Sequence, residues 1–375
     1  MFKVSTNVFK QLVSKAVKGA SMNPSITSSR LLAIELKNNV LTLVTTDGCA
    51  YLEVSCSDIA GGDFYAMVDV DTFAKLINKM TSEELTLAIE DNRLVVTGNG
   101  VYDFAMCFEG DELARFKDYH FETGENSYVM NTNVLKTILK TNKATVCTNT
   151  EMPELIAYHF GPMGVLTTNR TCASLTKANF TDISFLLPVR TVALMEVLSG
   201  TEIKFYVTET NVKIVSDDVT IYSPKKVETE RGKKFPVEVL TNMFSNELAE
   251  DYVILNRTSF ISALERLLLV SDKYNQNLLE LTFTETFLGL RNVRSSNVGS
   301  GVETLEYTTN NLKNPMVVKL TGTVLLNDLK AIMDDDIKIH LKGSTAPIVI
   351  DNENICLLIS PVATPAEEVA ETATV

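Results

Sequence analysis

The sequence predicts an α+β fold made of three similar domains, each containing two helices and a β-sheet. One strand–helix pattern opens three times along the 375 residues, and each opening is followed by a second strand–helix–strand unit. The openings are evenly spaced, because Phe9, Leu135 and Phe260 hold the same place in the pattern at intervals of 126 and 125 residues. Even spacing of whole structural units is typical of an internally repeated protein.

The first element of each copy is a short strand that leads through a small polar residue into a helix. Apolar residues recur in these helices at three- and four-residue steps, and this spacing gives a helix one buried face. The first two copies also share the run Thr-Asn-Val, with a lysine two residues later. The copies occupy residues 4–13, 130–139 and 255–264.

A second helix follows in each copy, between strands that alternate or are rich in β-branched residues. We expect these helices at residues 71–80, 190–195 and 324–333, with Asp71 as the N-cap of the first. Polar turns separate neighbouring strands at residues 37–39, 90–92 and 351–353.

The repeats predict domains at residues 1–124, 125–248 and 249–362. Residues 363–375 contain no aromatic residue and no positive charge. Such a segment cannot bury a core, so it is predicted to be a disordered acidic tail.

Composition excludes several classes of protein. No run approaches the roughly 18 apolar residues of a membrane span, and the first residues lack the apolar stretch of a signal peptide. We therefore expect a cytoplasmic protein with no membrane partner. The cysteines show no CxxC spacing, which favours buried, reduced thiols over disulfides or zinc. They are Cys49, Cys56, Cys107, Cys147, Cys172 and Cys356.

The distribution of charge points to a nucleic-acid partner although the formal net charge is −13. The predicted helices of the repeats carry a net charge of +7, which leaves −20 for the rest of the chain. A surface that is positive along its helices and negative elsewhere attracts phosphates to the helices alone. No base-reading motif accompanies these lysines, so the predicted contact is with the backbone of duplex DNA, without sequence specificity. The DNA-binding lysines are predicted to be Lys10, Lys15, Lys18, Lys75, Lys79, Lys136, Lys140 and Lys143.

No constellation typical of an enzyme is present. His120, His159 and His340 stand at non-equivalent repeat positions and read as ordinary strand or loop residues. The acidic pairs are weak signals for a metal ion, and the glycines at 98 and 100 are followed by strand-like residues rather than by a helix. The sequence therefore predicts no catalytic residue, no metal site and no cofactor.

Several short motifs in this order resemble the β sliding clamp of bacterial DNA polymerase III, in a bacterial or phage-encoded form. The resemblance covers about residues 2–362. Its motifs are Phe2-Lys3-Val4-Ser5, Thr45-Thr46-Asp47-Gly48, Phe235-Pro236, Val270-Ser271-Asp272-Lys273 and Leu357-Leu358-Ile359-Ser360-Pro361-Val362.

The resemblance implies a DNA polymerase processivity factor. It implies that two chains join head to tail into a closed homodimeric ring, with helices inside and sheets outside. The resemblance also implies that the ring encircles DNA and tethers a replicative polymerase. The positions that match the dimer interface are Phe104 and Met106 in the first domain and Leu269 and Val270 in the third.

Clamps of this type bind short hydrophobic peptides of the polymerase and the clamp loader in a groove between the second and third domains. The matching positions are Thr168, Arg170, Cys172, Ala173, Pro236, Leu240, Leu358, Ser360, Pro361 and Val362. An alternative from another class stays open, namely an oligomeric protein-interaction scaffold on the clamp fold without DNA binding.

Overall fold

The computed structural model describes residues 1–21, 25–124, 126–246, 248–273, 277–292 and 299–362. Helices and sheets are both abundant, so the predicted α+β class is confirmed. The chain forms two compact units, one of residues 1–135 and 187–226 and the other of residues 136–186 with the described residues from 227 onward. The predicted tail, residues 363–375, lies outside the described residues, and so does Glu125 at the first predicted domain boundary. The boundaries themselves remain predictions.

Secondary structure follows the three sequence repeats. The first contains strands β1 (Phe2–Ser5), β2 (Leu31–Lys37), β3 (Val40–Thr46), β4 (Tyr51–Cys56), β5 (Phe64–Asp69), β6 (Glu84–Glu90), β7 (Arg93–Thr97), β8 (Val101–Ala105), β9 (Phe108–Glu109) and β10 (Glu112–Leu113), with helices α1 (Thr6–Ala16) and α2 (Val70–Lys79). The second contains β11 (Ser127–Asn131), β12 (Ala157–Gly161), β13 (Gly164–Thr168), β14 (Cys172–Lys177), β15 (Phe185–Pro188), β16 (Glu202–Val207), β17 (Asn211–Ser216), β18 (Val219–Pro224), β19 (Thr229–Glu230) and β20 (Lys233–Lys234), with α3 (Thr132–Thr137), α4 (Lys143–Thr145), α5 (Val189–Leu194) and α6 (Val237–Asn246). The third contains β21 (Tyr252–Asn256), β22 (Leu278–Phe283), β23 (Phe287–Asn292), β24 (Val302–Glu306), β25 (Thr309–Asn310), β26 (Met316–Thr321), β27 (Asp336–His340), β28 (Ile348–Asp351) and β29 (Ile355–Ile359), with α7 (Arg257–Leu269) and α8 (Gly322–Ala331).

In the first unit, a four-stranded and an eight-stranded sheet enclose the helices' apolar faces. The strand orders are β1-β6-β7-β8 and β11-β16-β17-β18-β4-β3-β2-β5. The larger sheet joins two repeats, because β18 pairs antiparallel with β4, with Ile221 opposite Leu52. Helix α1 lies against α2, and the Phe9 and Phe73 rings meet edge to face at 6.0 Å between centroids.

The second unit repeats this plan with a nine-stranded and a four-stranded sheet. Their orders are β15-β12-β13-β14-β29-β28-β27-β21-β25 and β24-β23-β22-β26. The nine-stranded sheet also joins two repeats, since β14 pairs with β29 and places Leu175 opposite Cys356. Helices α7 and α8 pack beside each other on an apolar core that includes Phe260 and Leu325.

Local features differ from the sequence prediction at three places. The N-cap of α2 is Asp69, whose carboxylate accepts a hydrogen bond from Thr72 N at 3.2 Å, so the prediction of Asp71 was wrong. Helix α6 was not predicted. The helix expected after residue 131 contains a π-helical stretch, Ile138–Asn142, between α3 and α4.

The cysteines are all free thiols, but only half of them are buried. Cys147, Cys172 and Cys356 lie in the core, whereas Cys49 is exposed, and Cys56 and Cys107 are half-buried. The prediction of a core position is therefore wrong for Cys49, which stands in a turn between β3 and β4.

Candidate functional site

The predicted DNA-binding lysines of the first unit lie on the packed pair α1 and α2 and on the 3₁₀ turn Val17–Gly19 that follows α1. Lys18 and Lys79 are exposed, and Lys10 is half-buried. None of these three has an ion-pair partner among the described residues. Their charges are therefore available to a phosphate.

Two other lysines of this unit are already paired. Lys15 Nζ lies 2.7 Å from Asp218 Oδ2 and 3.3 Å from Ser199 Oγ. Lys75 Nζ lies 2.6 Å from Asp71 Oδ2, one helical turn earlier on α2. The Lys75 pair is exposed and therefore weak, because solvent screens it, whereas the Lys15 pair is mostly shielded from solvent.

The remaining predicted lysines, Lys136, Lys140 and Lys143, belong to the second unit. All three are exposed on the helical segment of residues 136–145. A buried polar network fixes this segment to the sheet. Asn142 Nδ2 donates to Val165 O and to Ser174 Oγ, each at 2.9 Å, and Asn142 Oδ1 accepts from a neighbouring threonine hydroxyl.

Two cations on the third repeat's helices, Arg266 and Lys330, are paired with carboxylates of the same unit. Arg266 forms two hydrogen bonds with Glu303, at 2.6 and 2.7 Å, and Lys330 lies 2.6 Å from Glu265. Lys136 and Lys140, by contrast, are exposed and have no ion-pair partner among the described residues.

Within the described ranges of the chain, each four-stranded sheet ends in a strand that has no neighbour on its outer side. In the first unit this is β8, where Val101 is 70% exposed, and in the second it is β24, where Val302 is 75% exposed. Exposed apolar edge strands invite pairing with another chain, and proteins normally cover them. These two edges are candidate assembly surfaces.

The four predicted interface residues lie at or near these edges. Phe104 is half-buried on β8 and packs edge to face on Phe73, 5.2 Å between ring centroids; Met106 follows that strand. Leu269 ends α7 and is 82% exposed, and Val270 beside it is half-buried. An apolar side chain as exposed as Leu269 is expected to gain by burial against a partner.

Part of the predicted peptide groove forms a depression of about 530 Å³ in the second unit. Arg170, Ser360, Pro361 and Val362 line it, together with residues of α8 and the strand before it that were not predicted. Two backbone hydrogen bonds hold the segment of residues 360–362 in place. Ser360 N donates to Thr171 O at 2.9 Å, and Val362 N donates to Lys319 O at 2.8 Å.

The other predicted groove residues lie beneath or beside this depression. Ala173, Leu240 and Leu358 are buried in one apolar cluster. Thr168 and Cys172 are buried in the strands on either side of the Arg170 turn. Pro236 lines a different cavity.

A buried acid beneath the groove was missed by sequence reasoning. Asp328 is inward-facing on α8, next to the Cys172 thiol, and its Oδ2 has no hydrogen-bond partner among the described residues. Burial raises the pKa of Asp328 to about 7, and burial raises the pKa of Cys172 to about 12. An isolated acidic residue within a helical pattern gives no sequence signal for such burial.

Metal-binding clusters and membrane-spanning helices were also sought among the described residues. In the part of the chain that the structure describes, no three His, Cys, Asp or Glu side chains are grouped to hold a metal ion. The described helices are too short or too polar to span a lipid bilayer.

Solved structures similar to this chain are sliding clamps of bacterial DNA polymerases. The DNA polymerase sliding clamp from Bacillus subtilis shares 16% identity and matches 97% of this chain and 99% of its own, with a TM-score of 0.84. The DNA polymerase III β subunit from Thermotoga maritima gives 17% identity, the same two coverages and a TM-score of 0.82. The β subunit from Streptococcus pyogenes gives 18% identity, 97% and 100% coverage, and a TM-score of 0.83.

Comparisons of sequence alone return nothing. No protein-family model matches the chain, and no curated protein matches it. The chain therefore has the sliding-clamp fold, at a sequence distance where the fold alone is established.

Proposed function

We propose that this chain is a processivity factor, a sliding clamp that encircles duplex DNA and tethers a replicative polymerase to it. The observation that carries the proposal is the match of 97% of the chain to bacterial sliding clamps at TM-scores of 0.82 to 0.84. Because one fold can host several functions, the function must also be supported by the residues of the site.

The lysines supply the DNA-facing part of that argument. Lys18, Lys79, Lys136 and Lys140 are exposed, Lys10 is half-buried, and none of the five has an ion-pair partner in the described chain. Lysines that meet phosphates as mobile point charges bind without reading bases, and each contact is weak and salt-dependent. Such contacts hold DNA in a ring without stopping it from sliding.

The two uncovered sheet edges support assembly into a homodimer. In a head-to-tail homodimer, β8 of one chain would pair with β24 of the other, which covers both edges at once. A heterologous contact of this kind closes after two copies only when each copy spans half of the circle. The exposed Leu269 would pack at the same joint.

The groove supports binding of a polymerase or clamp-loader peptide. Its depression has apolar walls from Pro361, Val362 and Val324 and one cation, Arg170. Apolar anchors in such a pocket carry most of the binding energy of a short peptide. The proposal makes the protein a non-enzymatic, cytoplasmic partner of replication proteins.

Retention on DNA of different topology tests the proposal. The protein is loaded with a clamp loader onto nicked circular DNA, and half of the sample is then linearised by a restriction enzyme. A ring should stay on the circle and leave the linear molecule. Equal retention on both would contradict encirclement, and no retention on either would favour the protein-interaction scaffold.

A further inference from the structure

A cavity of about 470 Å³ opens in the second unit beside β15, the last strand of the nine-stranded sheet. Its floor is buried and largely aromatic, and its rim is charged. The residues lining it are His159, Ser184, Phe185, Leu186, Glu228, Lys234, Phe235, Pro236, Val237, Glu238 and Val239. The volume falls within the range of about 300 to 1,000 Å³ that is usual for ligand pockets.

The first repeat has a matching place, and there it is filled. Strand β5 is the last strand of the eight-stranded sheet, as β15 is in its own sheet. Tyr65 on β5 covers that edge: its hydroxyl donates to Ala114 O at 3.2 Å. The Arg115 guanidinium lies over the Tyr65 ring at 3.9 Å from its centroid.

Equivalent positions in the second repeat have lost these side chains. Counted back from the first residue of the following helix, Ser184 stands where Tyr65 stands. Strands β2 and β12 each end at a two-residue turn, after Lys37 and after Gly161, so Glu35, opposite Tyr65 in the first repeat, corresponds to His159. A Cβ on Gly161 would lie 3.2 Å from Ser184 Oγ, so the end of β12 and Ser184 are close neighbours. The cavity thus opens where a tyrosine side chain packs in the first repeat.

The cavity also contains an unsatisfied polar group. His159 is only 6% exposed, its ring stacks on Phe235 at 5.8 Å, and its Nδ1 has no hydrogen-bond partner among the described residues. Burial lowers the pKa of His159 to about 4. The imidazole is therefore neutral at pH 7 and can accept a hydrogen bond, and a buried polar atom without a partner is unfavourable until a ligand supplies one.

The edge of the sheet is open for backbone pairing as well. In the first repeat, Cys107 N donates to Met67 O at 2.9 Å and so adds the following segment to the edge of β5. In the second repeat, Leu186 stands three residues before α5, as Met67 does before α2, and Glu228 directly precedes β19, as Cys107 precedes β9. No hydrogen bond joins Glu228 to Leu186 in the described chain. An open strand edge of this kind accepts an extended peptide as an extra strand.

We propose that this cavity binds the side chain of a tyrosine carried by an extended segment of a partner protein, which pairs through its backbone with β15. The phenol ring takes the place that Tyr65 fills in the first repeat, and its hydroxyl donates to His159 Nδ1. Glu228 and Glu238 at the rim outnumber Lys234, so a phosphorylated tyrosine is repelled. The site does not depend on whether the protein encircles DNA.

Saturation-transfer NMR with p-cresol tests the ring and hydroxyl parts of the proposal. We expect p-cresol to bind the full-length protein with a Kd on the order of millimolar, as fits one small ring. Toluene should bind several-fold more weakly, because it cannot donate to His159. No p-cresol signal, or equal binding of toluene, would overturn the proposal.

Three variants locate the site. Ser184→Tyr restores the first-repeat side chain and should abolish p-cresol binding, whereas the matched control Ser184→Ala should retain it. His159→Phe keeps the stacked ring but removes the acceptor, so it should weaken p-cresol binding and leave toluene binding unchanged. Ser184→Tyr and His159→Phe test the site independently, so the proposal can still be refuted if one of them fails to fold. Unchanged p-cresol binding in a folded Ser184→Tyr protein would refute it.

The peptide part has its own measurement. N-acetyl-Ala-Tyr-Ala-amide should bind at least ten-fold more tightly than p-cresol, and methylation of its backbone nitrogens should remove that gain. Equal affinity of the methylated and unmethylated peptides would overturn the pairing with β15. Replacing tyrosine by phosphotyrosine in the same peptide should abolish binding.

Discussion

The ammonium group of Lys15 lies 2.7 Å from a carboxylate oxygen of Asp218, across a contact between α1 and the turn that joins β17 to β18. The two side chains are 28% and 32% exposed. This pair ties the first repeat's helix to the second repeat's strands within one compact unit. Lys15 therefore differs from Lys10 and Lys18, which have no ion-pair partner in the described chain.

Replacing Lys15 should therefore affect stability more than DNA retention. We expect Lys15→Gln to lower the free energy of unfolding by about 1 kcal/mol, because it leaves the partly buried Asp218 carboxylate unpaired. The loss of DNA retention should be smaller than in Lys10→Gln, the control, whose stability should change by less than about 0.5 kcal/mol. Denaturant titration and retention on circular DNA measure the two effects, and identical behaviour of both variants would contradict this division.

The triple variant Lys10→Glu, Lys136→Glu, Lys140→Glu should reduce loading and polymerase processivity while leaving the dimer intact. Each lysine lost should also lower the salt dependence of DNA binding by about 0.9 in the log–log slope. A matched control places the same charge change outside the helices, at the exposed Lys37, Lys117 and Lys204. If both triple variants lose processivity equally, net charge rather than the helical lysines is responsible.

Charge at the exposed end of α7 should open the proposed ring. We expect Leu269→Asp to shift the protein from dimer to monomer in light scattering at micromolar concentration, because an unpaired carboxylate buried in the joint costs several kcal/mol. Val227→Asp is the matched control, since Val227 is also an exposed apolar residue of the same unit. A Leu269→Asp protein that remains dimeric would exclude this residue from the interface.

Local patterns predicted the elements well, because helix and strand periods are written in neighbouring residues. The helix expected at 71–80 is found at Val70–Lys79, and the turn at Asn38 and Asn39 has the positive φ angles that asparagine tolerates. Asp71 was misassigned as a cap since Asp69, two residues earlier, carries the same side chain and holds the N-cap position.

Features that depend on distant residues could not be predicted in this way. Lys15 and Asp218 are 203 positions apart, so only the folded chain brings them together. His159 was predicted to be an ordinary strand or loop residue. Its proposed role arises because the small side chain of Ser184 leaves a cavity beside it. One signal was available in the sequence. A residue-by-residue alignment of the repeats would have shown that Ser184 is equivalent to Tyr65.

A peptide containing glutamine and spaced leucine or phenylalanine residues should bind the depression beside Pro361. Val324→Asp should weaken that binding at least ten-fold, because it places a charge on an apolar wall. The matched control is Val317→Asp, at an exposed valine on β26 outside the depression. Calorimetry with the full chain and with a chain ending at Val362 gives the result; if neither form binds, the groove assignment is wrong.

The second unit should show two opposing dependences of stability on pH. Burial lowers the pKa of His159 from 6.5 to about 4, so its contribution to stability is present above pH 6.5 and is lost as the pH falls toward 4. Burial raises the pKa of Asp328 from 3.8 to about 7, so its contribution is present below pH 3.8 and is lost as the pH rises toward 7. Between pH 5 and pH 7 the two groups change the free energy of unfolding in opposite directions. Each change amounts to about 2 kcal/mol over this interval.

Single variants should separate these slopes. In His159→Phe only the Asp328 slope remains, and the free energy of unfolding should fall by about 2 kcal/mol as the pH rises from 5 to 7. In Asp328→Asn it should rise by a similar amount over the same interval. Other titrating groups contribute equally to both variants, so the difference between the two denaturant-derived profiles isolates the pair. Parallel profiles would show that at least one of these groups titrates near its ordinary pKa.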